Sequence, residues 1–293
     1  MNAVAAIVVT YNRKDLLREC IQHLKEQTIS CDILVIDNAS TDGTQEEFST
    51  SVDPVFYFNT GSNLGGAGGF SYGIKKAVEA GYDYLWILDD DTMPSQNALE
   101  CLLKKGKSLN GAYGYLSSKV LWKDGSICTM NIQKTSKWKR ITNFDMLQKV
   151  QYSSFVSLFV KSSVVKKLGL PYKEFFIWAD DWEYTRRISK RYPCYYVPES
   201  VVSHWCKTNI GADIVSCDRS RLDRFKYMYR NDVVMYRQDG IEGMFYLLLR
   251  NAMHVARVLK KSDNKIEKIK LMNKATQEGF RFHPVIAYPE EKK

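Results

Sequence analysis

Apolar residues come in short runs that stop abruptly at polar loops, and these runs alternate with segments of helical period. Val4-Ala5-Ala6-Ile7-Val8-Val9 is a β-branched run of the kind buried on both faces of a parallel sheet. Thr10-Tyr11-Asn12-Arg13 ends it, and Lys14 to Gln27 carries Leu17, Ile21 and Leu24 at helical spacing. Asp32 to Ile36 is a second strand, so strand, helix and strand form a βαβ unit with a right-handed crossover. Val55 to Phe58 reads as a third strand, and a glycine-rich stretch from Asn59 to Phe70 leads into a helix near Ser71 to Ala80. Tyr84-Leu85-Trp86-Ile87-Leu88 runs straight into Asp89-Asp90-Asp91-Thr92, and Met93-Pro94-Ser95 stops the run. Further on, 97–107 reads as a surface helix and 113–160 as mixed strands and loops with alternation at Tyr113, Tyr115, Val120 and Trp122. Ser162 to Leu168 reads as a helix, and Tyr195-Tyr196-Val197-Pro198 as a short strand.

The pattern predicts an α/β protein: a mixed, mostly parallel sheet flanked by helices. Its character changes near residue 215, which divides the chain into 1–215 and a helical extension, 216–293. In the extension Ile241, Phe245, Leu248, Ala252, Val255 and Leu259 mark an amphipathic helix. From Arg250 to Lys270 there are seven Lys/Arg and two Asp/Glu, 7 − 2 = +5. That suits a helix lying on anionic lipid, or equally a core-packing helix with a wet basic face. Pro289 to Lys293 reads as a frayed end.

Three carboxylates at the C-terminal end of a strand sit where open α/β sheets bind ligands. They repel one another, and a divalent cation with oxygen ligands that itself holds a phosphate would compensate them. Alternatively they form a solvated acidic loop. The loop Asp37-Asn38-Ala39-Ser40-Thr41-Asp42-Gly43-Thr44 offers Asp37 to a base or ribose, or is an Asx-type turn capping the next helix through Thr41 or Asp42. No G-x-G-x-x-G follows the first strand and no G-K-[ST] occurs, so dinucleotide-binding and P-loop readings are excluded. Gly43 falls one place late for an EF-hand. The glycine-rich stretch lets backbone approach a ligand closely, and the helix behind it offers free N–H groups to phosphate or sugar oxygens.

A second acidic cluster, Asp180-Asp181-Trp182-Glu183, is set among aromatics and opens a basic helical run from Arg186 to Arg191. Acids at a helix start are favoured by the dipole; a desolvated carboxylate also has the raised pKa of a general base. His204 is one of four histidines, a structural residue or an imidazole partner for the acids at 89–91 in a site suiting Mn²⁺. Lys134 to Arg140 reads as a solvated basic loop.

Lys+Arg 42 against Asp+Glu 33 gives +9 over 293 residues, which suits an anionic partner such as a nucleoside diphosphate, a lipid surface or nucleic acid. No nucleic-acid module accompanies the charge, so that partner is set aside. Seven cysteines without a C-x-x-C read as free thiols. No signal peptide and no apolar stretch of about 20 residues is seen, so the chain is expected to be soluble or to lie on a membrane.

Val8-Val9-Thr10-Tyr11-Asn12-Arg13, Ile36-Asp37-Asn38-Ala39-Ser40-Thr41-Asp42-Gly43-Thr44, Asp89-Asp90-Asp91, and Asp180-Asp181-x-Glu183-Tyr184 before His204 resemble, in that order, the family 2 inverting glycosyltransferases with a GT-A fold. The likeness covers roughly residues 3–210. Asn63-Leu64-Gly65-Gly66-Ala67-Gly68-Gly69-Phe70 and Trp178 to Tyr184 are similar to the galactofuranosyltransferase branch, with rhamnosyltransferases its near competitor. Ala179, between the tryptophan and the aspartates, departs from that branch, and the chain lacks the long extra domains of its polymerases; addition of one or a few residues is implied.

The resemblance implies Thr10, Tyr11, Asn12, Arg13, Asp37 and Asn38 around the uridine and pyrophosphate, with Asn63, Gly65, Gly66, Gly68 and Gly69 near the donor's sugar and ribose. Asp89 and Asp90 belong to the nucleotide-sugar site. Asp89, Asp91 and His204 would hold Mn²⁺ or Mg²⁺. Asp181 would be the base, with Asp180 and Glu183 positioning acceptor or base. The implied partners are a nucleotide-sugar donor, in the first place UDP-galactofuranose and otherwise dTDP-rhamnose, and a glycan or glycolipid acceptor. The implied place is the cytoplasm, peripheral on the inner face of the plasma membrane where the basic helix meets lipid. Rival readings are a haloacid-dehalogenase-like phosphatase with an aspartate nucleophile and a non-catalytic nucleotide-sugar-binding protein.

Overall fold

The computed structural model describes residues 3–50 and 53–290. The βαβ unit forms as the pattern predicts: β1 (Val4–Thr10), α1 (Lys14–Lys25) and β2 (Asp32–Asp37), followed by α2 (Thr44–Phe48) and β3 (Val55–Asn59). Then come α3 (Gly65–Ala80), β4 (Tyr84–Asp89), β5 (Thr92–Pro94), α4 (Ala98–Ser108), β6 (Tyr115–Trp122), β7 (Gln148–Lys149), β8 (Leu158–Lys161), α5 (Ser162–Leu168), α6 (Asp180–Ser189) and β9 (Tyr195–His204). Four helices close the chain: α7 (Arg219–Leu222), α8 (Phe225–Arg237), α9 (Gly240–Lys261) and α10 (Lys265–Arg281).

Among the described residues the strands form one sheet in the order β3-β2-β1-β4-β8-β6-β9-β5, with β7 beside β9. The pairs β3·β2, β2·β1 and β1·β4 are parallel, and their register sets Val9 opposite Asp89 and Thr10 opposite Asp37. The polar ends of β1, β2 and β4 therefore open at one level. Both faces of β1 are buried, which is why its sequence is apolar without alternation. Val4, Ala6 and Val8 pack with Leu17, Ile21 and Leu24 of α1, and Ala5, Ile7 and Val9 pack with Phe70, Ile74 and Ala77 of α3.

Four expectations are corrected. α3 begins at Gly65, six residues before the predicted start, because its glycines are packing positions: a Cβ at Gly73 would lie 2.6 Å from Ile7. Met93-Pro94 does not end the acidic run in a turn but joins β5, an edge strand whose place in the sheet tolerates proline. The stretch from Lys134 to Arg140 is not simply solvated: Lys134 and Lys137 are buried, Lys134 with its ammonium 3.7 Å over the Trp182 ring. Of the end read as frayed, 291–293 lie outside the described residues, while Glu290 pairs with Lys75 at 2.9 Å and donates its backbone N–H to Glu79.

The C-terminal helices touch the sheet domain at chosen points. Val234 of α8 packs with Ala67, Tyr172 and Phe175, and Val233, Met235 and Tyr236 pack with Tyr152. On α9 the buried positions are Gly243, Leu247 and Val258. The apolar stripe predicted from the sequence lies on the opposite side, with Ile241 92% and Leu248 66% exposed and Phe245, Met253 and Leu259 exposed as well.

Gly65 and Gly66 give a paired test. Gly65 has φ +70, and a Cβ there would fall 2.1 Å from the Phe176 carbonyl oxygen; Gly66 has nothing within 4 Å. Gly65→Ala is expected to cost on the order of 3 kcal/mol, combining the left-handed backbone with a clash. Gly66→Ala should be neutral or stabilise by about 0.5 kcal/mol. Urea midpoints at unchanged m-value check both, and equal midpoints would contradict the packing.

Candidate active site

The three parallel strand ends and the glycine-rich start of α3 enclose an open cavity of about 410 Å³. Thr10, Tyr11, Arg13, Asn38, Asn63, Gly65, Gly66, Asp89, Asp90, Asp91 and His204 are among its lining residues. The loops are tied across one another. Asn12, with φ 53, donates its backbone N–H to Ser40 Oγ at 2.9 Å, and its Oδ1 accepts from the Thr41 N–H at 2.7 Å. Asp37 does not line the cavity: it is fully buried, accepting from the backbone N–H and hydroxyl of Ser40 and from the Tyr57 hydroxyl at 2.5 Å. The Asx-type turn expected in this loop lies further on, at Asp42. Asp42 likewise accepts from the N–H and hydroxyl of Thr44 at the start of α2.

Asn38 points the other way. Its Nδ2 donates to the Gly65 carbonyl at 3.1 Å, while its buried Oδ1 has no protein partner. A buried acceptor left open at a cavity wall is costly unless something donates to it. Gly65 is held by Asn63, whose Oδ1 accepts its N–H at 2.9 Å. Gly68 and Gly69, expected at the ligand, are instead buried in the helix: added Cβ atoms would lie 2.5 Å from Leu64 and 2.6 Å from Val9. Their smallness serves packing.

The acidic triad divides its work. Asp90 is buried and accepts from Thr10 Oγ1 at 2.8 Å and from Arg13 Nη1 at 3.2 Å. Asp91 is bound by Arg13 Nη1 at 2.6 Å and by His204 Nε2 at 3.0 Å. His204 reaches it because β9 runs antiparallel to β5, setting His204 opposite Thr92, while the Trp205 N–H donates to the Asp91 carbonyl at 2.8 Å. Burial opposes charge on the His204 ring, but the hydrogen bond and charge of Asp91 override it and push the pKa up to about 11. Burial and the charge of Asp91 raise Asp89 to about 6 and Asp90 to about 7. Asp91 is lowered despite burial, because His204 and Arg13 favour its anion. Ligand atoms of Asp89, Asp91 and His204 lie within 4.8 Å of one another. Two carboxylates and an imidazole fit a Mn²⁺- or Mg²⁺-class cation, whose charge would offset the repulsion between Asp89 and Asp91.

The second acidic cluster does not line the cavity, but it lies within electrostatic reach of Asp89. Burial first, and then Asp89 among other charges, raise Asp180 to about 7; burial, Asp180 and Asp89 hold Asp181 well above the usual carboxylate range. Asp181 Oδ1 accepts the Trp182 N–H at 2.7 Å. Glu183, expected in the catalytic set, is buried in an ion pair with Arg187 (3.0 and 2.9 Å) and accepts from Gln238. Arg187 in turn donates to the Leu168 and Leu170 carbonyls, so Glu183 anchors α6 and does not reach a ligand.

What aims α6 is a backbone that its sequence resists. Phe176, Trp178 and Ala179 all have positive φ, near 65°. Such residues persist only where the surroundings over-determine them. Here Asn231 of α8, fully buried, donates Nδ2 to the carbonyls of Phe175 at 3.0 Å and Trp178 at 2.9 Å. The Phe176 carbonyl accepts the Ala67 N–H at 3.1 Å, joining this loop to the glycine-rich helix start. The sequence carries no signal for Asn231, which stands between the polar residues Arg230 and Asp232.

Residues 5–125 match the family model described as glycosyl transferase family 2. The chain is 26% identical over 204 residues to the galactofuranosyltransferase GlfT1 of Mycolicibacterium smegmatis, covering 63% of this chain and 65% of that protein. It is 26% identical over 197 residues to the glycosyltransferase AglE of Haloferax volcanii, covering 63% and 60%. The solved structure of GalNAc-T7 with UDP, GalNAc and Mn²⁺ superposes with a TM-score of 0.60 at 14% identity, over 96% of this chain and 56% of that one. The matches thus span less than two thirds of the length of each of these proteins. The family match runs through the strands and loops that frame the cavity, and the fold is shared with that solved structure: residues 5–125 are similar to glycosyl transferase family 2, and the chain has a GT-A fold.

Proposed function

We propose that this protein transfers a sugar from a nucleoside diphosphate donor to a hydroxyl of a glycan or glycolipid acceptor, with inversion at the anomeric carbon. The observation that carries the reading is the placement of two acidic clusters within electrostatic reach of each other: Asp89 and Asp91 with His204 on one side, Asp180 and Asp181 on the other, with the charge of Asp89 raising the proton affinity of both Asp180 and Asp181. Asp89, Asp91 and His204 would hold a divalent cation, which stabilises the negative charge developing on a departing diphosphate. Arg13 at the cavity mouth would reach the same phosphates, having one flank already on Asp90 and Asp91. Asn38 Oδ1 would accept a hydrogen bond from the nucleoside, and Gly66 would leave room for backbone approach. Asp181 would take the proton of the incoming hydroxyl, the low polarity around it keeping the carboxylate basic. One base and one attack from the face opposite the leaving group give inversion.

Within that class the donor proposed is UDP-galactofuranose, supported by the GlfT1 likeness; dTDP-rhamnose is the alternative. Residues 1–215 are proposed as the transferase domain and 216–293 as the part facing acceptor and membrane. The outward apolar stripe of α9 ends near Lys260 and Lys261, with Arg257 alongside, a pattern suited to an anionic lipid surface. The proposed location is accordingly the cytoplasmic face of the plasma membrane.

Four measurements check this reading. Asp181→Asn should lower turnover by about 10³-fold or more while UDP still binds, and wild-type turnover would remove the base. In the unsubstituted enzyme, kcat should fall as pH drops through the raised Asp181 pKa, above the ~4 of an ordinary carboxylate, because only the anion accepts a proton. Asp91→Ala should abolish the Mn²⁺ dependence of UDP affinity in calorimetry, and an unchanged titration would sink the ligand assignment. Flotation with phosphatidylglycerol-containing vesicles should carry the wild-type protein upward but leave Ile241→Glu/Leu248→Glu behind; wild type remaining below would contradict the lipid surface.

A further inference from the structure

His204 has a second face. Its Nε2 is engaged with Asp91, but Nδ1 lies 2.9 Å from Asn131 Oδ1 and 3.7 Å from Cys128 Sγ. Cys128 is fully buried at the start of the turn that follows β6, and its Sγ is 3.0 Å from the same Asn131 oxygen. Cys206, two residues past His204, lines the cavity, and ligand atoms of Cys128, His204 and Cys206 all lie within 4.8 Å of one another. The strand pairing that brings His204 to Asp91 therefore also assembles two thiols on the other side of the ring.

We propose that Cys128, His204 through Nδ1, and Cys206 form a site for Zn²⁺ or another thiophilic divalent cation, distinct from the oxygen-rich set of Asp89 and Asp91. The distances suit it. Tetrahedral zinc with Zn–S near 2.3 Å and Zn–N near 2.0 Å needs S···N separations of about 3.6 Å. The Cys128–His204 separation of 3.7 Å matches this without backbone movement. The outer arrangement suits it too. A metal-bound histidine characteristically donates its other ring N–H to a carboxylate, which fixes ring and tautomer, and Asp91 at 3.0 Å stands in that position. Asn131 Oδ1 now lies within hydrogen-bond distance of both the thiol and the imidazole nitrogen. A cation would take over from the protons shared there, leaving Asn131 as an oxygen neighbour. Two sulfurs and one nitrogen select a soft or borderline cation over Mg²⁺ or Mn²⁺. Three protein ligands at a cavity wall leave the fourth position open to water. Binding would hold the ring with Nε2–H on Asp91, so occupation of this site and ligation of a hard cation by His204 exclude each other.

The test needs neither donor sugar nor turnover, so it is separate from the fate of the transferase reading. The full chain, reduced and freed of metal, is titrated with Co²⁺ and followed by absorption. One equivalent should produce thiolate-to-cobalt charge transfer in the near ultraviolet with intense visible bands of tetrahedral cobalt, both bleached by one equivalent of Zn²⁺. Cys206→Ser, at the cavity edge, and Cys128→Ser, in the interior, should each weaken Co²⁺ binding by at least about tenfold and reduce the charge-transfer intensity. Circular dichroism shows whether each variant is folded, and Cys206→Ser alone suffices if Cys128→Ser is not. Weak octahedral bands without charge transfer, or a charge-transfer band unchanged in the folded Cys206→Ser variant, would overturn the site.

Discussion

Three aspartates, Asp89, Asp90 and Asp91, line one opening of the sheet with Asp180 and Asp181 in electrostatic reach, and their repulsion is the constraint to which the surrounding structure answers. Arg13 and His204 pair directly with Asp90 and Asp91 alone. Asp89, Asp90, Asp180 and Asp181 keep raised proton affinity, caused first by burial and then by neighbouring aspartates. Such an arrangement is unfavourable in an empty protein and becomes favourable when a cation enters, which is how a binding site differs from a structural ion-pair network. The fold meets the constraint with elements that cannot move independently: β1, β2 and β4 fix the first cluster by register, and β9 brings His204 by pairing with β5.

The second cluster depends on distant support. Three departures from ordinary backbone, at Phe176, Trp178 and Ala179, cost on the order of 1–3 kcal/mol each. They are held by Asn231, by the Ala67 N–H and by packing of Val234 against Phe175. Arg186 of α6, Lys190 just past its end, and Lys137 converge on Asp239 at the corner between α8 and α9. The helices beyond residue 215 are therefore part of what orients Asp180 and Asp181. The buried Lys134, lowered to about 7 chiefly by desolvation, lies over Trp182 on the same side.

Much of this was legible because it is local. Continuous apolar strands ending in Asp37 or Asp89-Asp90-Asp91 identify parallel strands with a ligand edge, and helices α4 and α5 follow from short-range period alone. What was not legible depends on long-range contact. Sequence cannot tell that Gly68 and Gly69 face Leu64 and Val9 while Gly66 faces open space, because the three are alike until a sheet lies beneath them. It could not separate Glu183 from Asp181, since the former is claimed by Arg187 together with Gln238, 55 residues on. It gave no reason to connect Asn131 or Cys128 with His204, which lie 73 and 76 residues away in the chain. The stripe on α9 was read correctly as amphipathic, but which side faced the protein was decided by Leu247 and Val258.

The most direct test is a crystal structure of the protein with UDP and Mn²⁺, with anomalous differences recorded at the manganese edge. The account requires one strong peak within about 2.3 Å of carboxylate oxygens from Asp89 or Asp91, with diphosphate on its open side and Asp181 facing the space beyond. Manganese bound elsewhere, or nucleotide seated away from Arg13 and Asn38 with no metal near the aspartates, would contradict it.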